Sequence, residues 1–350
     1  MDQPSVQLEK NQHIAKEELV SLSIRPDDTR LTWAGAVSFD YSDGAVMPWR
    51  IPFEERDLFG GPLQVRSAFP AGVRIAFRSD TSVVAGRVKP SEQPAILDLC
   101  VDGEFHSSVD LTERDAFSFE DLPVEEKLVE LWLPQFAQFR LKGLEIGDGA
   151  TIEPYEDSRP RWTTYGSSIT HCAKAERPTQ TWPSIVARGH GLNLTCLGYG
   201  GSCLLEASVA RIMRDIPADF LSMKVGINIQ STNSLGPRTF RSAVIGFVQI
   251  VREKHSDTPF VVVSPILSPP RETTPNLVGL SLSDMRNEIA DAVEALRAHG
   301  DANIHHVDGL RVFGPDRAHL LPDEVHPNAE GYKVLGQNFL REVARPLFSG

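Results

Sequence analysis

The sequence predicts two domains, an all-β, jelly-roll-like sandwich followed by a three-layer α/β domain on a five-stranded parallel sheet. Three observations lead there. The chain has 350 residues, and single hydrophobic cores stop growing at about 250 to 300 residues. From about residue 30 to 152, short runs of β-branched and aromatic residues are broken by Gly, Pro, Asp and Ser with no helical periodicity between them, so many short strands must each bury one face against a second sheet. After Tyr155 strand-like and helix-like segments alternate, which is how a parallel sheet with crossover helices reads. The polar, proline-bearing stretch EPYEDSRP (153–160) separates the two textures and sets the expected domains at 1–155 and 156–350.

Taken in order, 11–23 reads as a helix or an arm. The sandwich strands include 31–39, 72–77, 82–88, 95–101 and 128–133. The parallel sheet takes the strand-like segments 162–165, 192–197, 220–225, 259–263 and 304–307. Between them the 3.6-residue pattern predicts helices over 181–188, 204–214, 238–254 and 283–298, and a last one over 329–347.

Composition narrows the function classes. The hydrophobic set makes up 41% and charged residues 23%, as in a soluble globular protein. Lys and Arg total 35 against 47 Asp and Glu, a formal charge of −12, so the long-range field repels phosphate backbones and anionic bilayers. Neither nucleic acid nor membrane is an expected partner. Cys100, Cys172, Cys196 and Cys203 form no CxxC pair, which points away from a zinc cluster or a disulfide framework. The first residues lack a secretory signal and no 18-residue apolar run occurs, so a cytoplasmic location is expected.

In a doubly wound sheet the reactive groups collect beyond the carboxyl ends of the strands. After the first strand comes Gly166-Ser167-Ser168-Ile169-Thr170, after the second Gly198-Tyr199-Gly200-Gly201-Ser202, after the third Gly226-Ile227-Asn228, and before the last helix Pro322-Asp323-Glu324-Val325-His326-Pro327. Together these meet the needs of nucleophilic acyl transfer. A serine hydroxyl needs a neutral imidazole to take its proton, and the imidazole needs a carboxylate to fix its tautomer. Ser168, His326 and Asp323 are the candidates, with Ser167 a rival nucleophile. The negative charge developing on a carbonyl oxygen needs donors, and the Ser168 and Gly201 backbone N–H groups and the Asn228 amide are the natural set. His171 and Cys172 read as a helix-start histidine and a buried thiol, and His305 and His306 as one core and one loop residue. No metal-ligand spacing, GxSxG elbow or GxxxxGK[ST] loop occurs, so neither metal nor cofactor is expected.

These four blocks resemble those of the GDSL-type SGNH hydrolases, serine esterases and acyl-transfer enzymes, over 161–347. The resemblance implies a flavodoxin-like α/β/α fold, Ser168 as nucleophile, His326 as general base, Asp323 as its orienting acid, and Ser168, Gly201 and Asn228 as the oxyanion hole. Two positions depart from the family pattern: Ser167 stands where Asp usually precedes the nucleophile, and Ile229 follows Asn228 in place of Asp. A leading β-sandwich resembles two-domain carbohydrate deacetylases and also a GDSL-type salicylyl O-acyltransferase of polyketide tailoring. The expected function is therefore a serine esterase acting on short acyl esters, O-acetyl or similar, of a carbohydrate or small metabolite. The alternatives are an intracellular O-acyltransferase, with acyl-coenzyme A as co-substrate, and an inactive binding module. The sandwich is expected to be a scaffold or substrate wall; its Trp33, Trp49 and Trp132 are either core residues or platforms for a sugar ring.

Overall fold

The computed structural model describes residues 21–348. Eight strands build the sandwich: β1 (Ser21–Ile24), β2 (Arg74–Ser79), β3 (Val84–Val88), β4 (Ile96–Val101), β5 (Glu104–Asp110), β6 (Ala116–Phe119), β7 (Lys127–Trp132) and β8 (Leu141–Gly147). They form two antiparallel sheets in the orders β1-β8-β3-β6 and β2-β7-β4-β5, the jelly-roll arrangement expected. Short strands at Thr32–Ala34 and Glu153–Pro154 lengthen the second sheet along β2. Alternation is plain in β5, whose side chains run exposed and half-buried by turns, and the inner faces meet in a core around Ile75, Phe77, Leu97, Leu99, Val129, Leu144 and Ile146.

Five parallel strands follow, β9 (Arg161–Gly166), β10 (Asn193–Gly198), β11 (Phe220–Lys224), β12 (Phe260–Val263) and β13 (Ile304–Val307), in the order β10-β9-β11-β12-β13. This is the flavodoxin-like order, and its reversal point lies beside β9. The interior strands are buried on both faces; β12 is Phe-Val-Val-Val with every residue covered, because helices flank the sheet on both sides. Those helices include α1 (Ser168–His171), α2 (Trp182–His190), α3 (Ala207–Asp215), α4 (Ile227–Thr232), α5 (Phe240–Arg252), α6 (Leu282–Ala298) and α7 (Ala329–Phe339). Their starts carry the expected chemistry: Ser281 and Asp284 close a capping box on α6, and the Asn328 side chain accepts the Gly331 N–H at 2.8 Å to begin α7.

Several expectations need correction. Of 11–23, residues 11–20 lie outside the described residues and Ser21–Ser23 belong to β1, not to a helix. The run 31–39 is broken, because Gly35 takes a left-handed φ of +83° between two short strands. The sandwich half is not free of helix: Gly61–Ser67 is helical, with Pro62 in its first turn. The helix expected from 204 starts at Ala207, since Leu205 stands at φ +63°. The last helix is interrupted after Phe339 by a π-helical stretch, Leu340–Ala344, and Pro346 follows in a final short turn. His305 and His306 are both half-buried in β13, which stands at the edge of the sheet among the described residues.

The connection from β1 to β2 folds onto the α/β domain. Ile51, Phe59, Leu63 and Trp132 join its core. Arg50 is fully buried and works as a bolt. Its guanidinium donates to the carbonyls of Phe69 (2.6 Å), Arg66 (2.6 Å), Cys196 (2.9 Å) and Gly198 (2.7 Å), and its own carbonyl accepts the Tyr199 hydroxyl. Removing the guanidinium leaves those carbonyls buried without donors, and each such orphan costs about 1–3 kcal/mol. Arg50→Met is expected to destabilise the protein by about 3 kcal/mol or more, read as the midpoint shift in urea unfolding.

Candidate active site

The nucleophile turn is built by capping. Ser167 is buried and extended, and its hydroxyl accepts the Ile169 N–H at 3.3 Å as the N-cap of α1. That role keeps Ser167 turned inward and leaves Ser168, half-buried, as the residue whose Oγ reaches outward. It lies 2.7 Å from His326 Nε2.

The opposite side comes from the loop before α7. Glu324 at φ +62° makes the bend, and Asp323 holds it, one carboxylate oxygen accepting the backbone N–H of Val325 (3.2 Å) and of His326 (2.7 Å). The second oxygen lies 2.8 Å from His326 Nδ1. An ionised carboxylate only accepts, so Nδ1 carries the proton and Nε2 faces Ser168 with a free lone pair. Burial alone raises the Asp323 carboxyl. The Lys174 ammonium at 2.6 Å and the N–H groups of His326 and Val325 outweigh it and hold the carboxyl well below the usual carboxylate range. Lys174 is a participant the sequence reading missed.

Two loops supply donors. Gly201 has φ +74°, a left-handed conformation that favours glycine, and among the described residues neither its N–H nor the one of Ser168 meets an acceptor. Gly226 at φ +123° leaves no room for a side chain, since a Cβ there would stand 2.5 Å from Pro265. It lets the chain enter α4 so that the Asn228 side-chain oxygen, Oδ1, accepts the Cys203 N–H at 3.1 Å. With its oxygen committed, the Asn228 amide NH₂ is the end left for the cavity. Ser168, Gly201, Asn228 and His326 line one open cavity of about 470 Å³. Asp323 stands behind His326.

The sandwich half reaches this cavity through residues without a sequence signal, Arg66 and Phe136. Phe136 is set by the segment after β7: the Gln135 carbonyl lies 2.7 Å from His171 Nε2, and the Gln135 amide donates to Ala175 at 3.2 Å. None of Trp33, Trp49 and Trp132 lines the cavity; Trp132 is fully buried, and Trp33 packs against Phe39 at 5.8 Å. The four cysteines are buried and unpaired. Among the described residues no group of three His, Cys, Asp or Glu is arranged to hold a metal, and no helix is long and apolar enough to cross a membrane.

His171 is expected to make the stability of the fold depend on pH. Complete burial, and then the Arg50 cation, push its pKa well below the ordinary imidazole value, against the opposing bond to Gln135. The unfolded chain therefore binds a proton near pH 6.5 that the folded chain refuses. Its contribution is present in full above that pH and is lost as the pH falls below it. Thermal unfolding is expected to show a lower midpoint at pH 5.0 than at pH 7.5, and His171→Gln, which keeps a donor toward Gln135, is expected to shrink the difference.

Two family models match the chain, the SsfX3 N-terminal domain over residues 31–142 and the GDSL-like lipase/acylhydrolase family over residues 161–344. Among solved structures the chain is similar to the salicylyl-acyltransferase SsfX3 from a tetracycline biosynthetic pathway, with 38% identity, a TM-score of 0.87, and coverage of 93% of this chain and 99% of the other. It shares its fold with a family two carbohydrate esterase from Clostridium thermocellum (14% identity, TM-score 0.65, 91% and 99% covered). The same holds for an acetyl xylan esterase from the rumen bacterium Butyrivibrio proteoclasticus (11%, 0.64, 94% and 99%). No curated protein matches the chain.

Proposed function

The chain belongs to the GDSL-like lipase/acylhydrolase family, whose members act on esters, and from that premise we propose that it transfers acyl groups through an ester on Ser168. The observation that carries this reading is the line from Asp323 to His326 Nδ1 at 2.8 Å and from His326 Nε2 to Ser168 Oγ at 2.7 Å. Ser168 Oγ attacks the substrate carbonyl carbon while its proton passes to His326 Nε2, and the imidazolium is stabilised by Asp323. The carbonyl oxygen becomes an oxyanion facing the Ser168 and Gly201 N–H groups and the Asn228 amide. Collapse breaks the bond to the leaving group, which departs with the proton from Nε2. A second nucleophile then gives its proton to Nε2, attacks the acyl-enzyme and frees Ser168.

With water as that nucleophile the protein is an esterase of short acyl esters; the catalytic groups serve water and an alcohol alike. Transfer to an alcohol is the second reading. What favours it is the 38% identity to a salicylyl-acyltransferase over 93% of this chain, sandwich included. The test is release of p-nitrophenol from p-nitrophenyl acetate, followed by consumption of an acyl-coenzyme A with and without an alcohol acceptor. An acceptor-dependent rate identifies a transferase, and an acceptor-independent one an esterase. Failure of both substrates would leave only a binding module.

A further inference from the structure

The cavity is cationic in a chain whose formal charge is −12. Arg66, Lys174 and Arg271 line it, and no Asp or Glu does. Lys174 is matched by Asp323, but the two guanidinium groups have no carboxylate partner among the described residues. Arg66 lies over Phe136 at 5.0 Å and Phe69 at 5.7 Å. Arg271 donates to the Ser268 hydroxyl at 3.2 Å, and its sequence neighbour Glu272 is held by Arg286 instead. Elsewhere in the same domain guanidinium groups such as Arg214 and Arg241 each hold two carboxylates.

Two further cations, neither of them lining the cavity, also lack a carboxylate partner among the described residues: the fully buried Arg50, which donates to the Arg66 and Gly198 carbonyls, and Lys224, 4% exposed at the end of β11. Arg66 is also close to the nucleophile, since a Cβ on Gly200 would stand 3.6 Å from Arg66 Nε and 3.6 Å from Ser168 Cβ. A half-buried guanidinium in a cleft of one sign attracts anions over distance and binds oxygen pairs with its planar fork.

We propose that this cavity selects an anionic substrate, with Arg66 and Arg271 holding a carboxylate or phosphate of the molecule whose acyl group reaches Ser168. The inference rests on the acyl-transfer reading for the identity of the reacting serine and adds the charge of the substrate. Two sources share this chemistry, a carboxylate on the acyl part and the phosphates of a coenzyme A leaving group. Two matched pairs separate them: mono-p-nitrophenyl glutarate against its methyl ester, and acetyl-coenzyme A against S-acetyl-N-acetylcysteamine.

A charge-assisted hydrogen bond corresponds to a discrimination on the order of 10- to 100-fold. In at least one pair the anionic member is expected to show that advantage in kcat/KM. The ratio is expected to shrink with added salt, to fall toward one in Arg66→Gln/Arg271→Gln, and to be partly kept in the single variants Arg66→Lys and Arg271→Lys. A ratio near or below one in both pairs, or one that survives the double substitution, overturns the proposal. The same four compounds are titrated calorimetrically against Ser168→Ala protein, which compares affinities without turnover. An anionic preference there in a protein whose wild type turns over none of the compounds overturns the acyl-transfer reading and keeps the anion subsite. Turnover without preference does the reverse.

Discussion

Ser168→Ala is expected to lower kcat for p-nitrophenyl acetate by about 10⁴- to 10⁶-fold, the range seen when the nucleophile of a serine triad is removed. The substitution takes away one oxygen and little else. Ser168 is half-buried, its backbone N–H stays in place, and the cap of α1 belongs to Ser167. Urea unfolding is therefore expected to be unchanged within about 0.5 kcal/mol, as for a surface position away from the core. The companion Ser167→Ala separates the two hydroxyls. It removes an N-cap, which costs about 0.5–2 kcal/mol of stability, while leaving Ser168 and His326 in contact. Activity lost in the second variant and kept in the first would assign the nucleophile to Ser167.

Asp323→Asn is expected to lower kcat by on the order of 10²- to 10⁴-fold, with the upper end set by fully buried orienting carboxylates. Both oxygens of Asp323 are occupied, but by different tasks: one accepts the backbone N–H groups that shape the loop, the other faces His326 Nδ1. An asparagine keeps the first through its carbonyl oxygen and turns an NH₂ group toward the ring. Nδ1 must then accept, the proton moves to Nε2, and Nε2 can no longer take the serine proton. The side chain of Asp323 is 41% exposed, so water recovers part of the loss. Because its carboxyl is held well below the usual carboxylate range, Asp323 stays ionised as the pH falls through mild acid, and its contribution to orienting His326 is lost only at strongly acidic pH. Measuring kcat and unfolding together distinguishes a tautomer effect from a collapsed loop.

Much of the α/β half was legible in the sequence. Parallel strands bury both faces and so can appear as uninterrupted apolar runs, as at 260–263, and the residues beyond their carboxyl ends are confined to one rim by topology. Ser168, Gly201, Asn228 and His326 come together on that rim for this reason. The sandwich was harder to read. Its outline followed from turn residues and alternation, yet the 31–39 run concealed the Gly35 break, and the helix at Gly61–Ser67 is a single short element in a segment that packs on another domain. Lys174, Arg66 and Phe136 left no local trace. An exposed lysine, an arginine in a short helix and a phenylalanine in a loop acquire their positions only through contacts with residues distant in the chain, those of Phe136 passing through Gln135 and His171.

The most direct measurement is active-site labelling with a fluorophosphonate, followed by mass spectrometry of the digested protein. One adduct on the peptide containing Ser168 is expected, formed by displacement of fluoride by Oγ as His326 takes its proton, with none in Ser168→Ala and a strongly slowed reaction in His326→Ala. An unlabelled wild-type protein, or an adduct that persists in Ser168→Ala, would contradict the account.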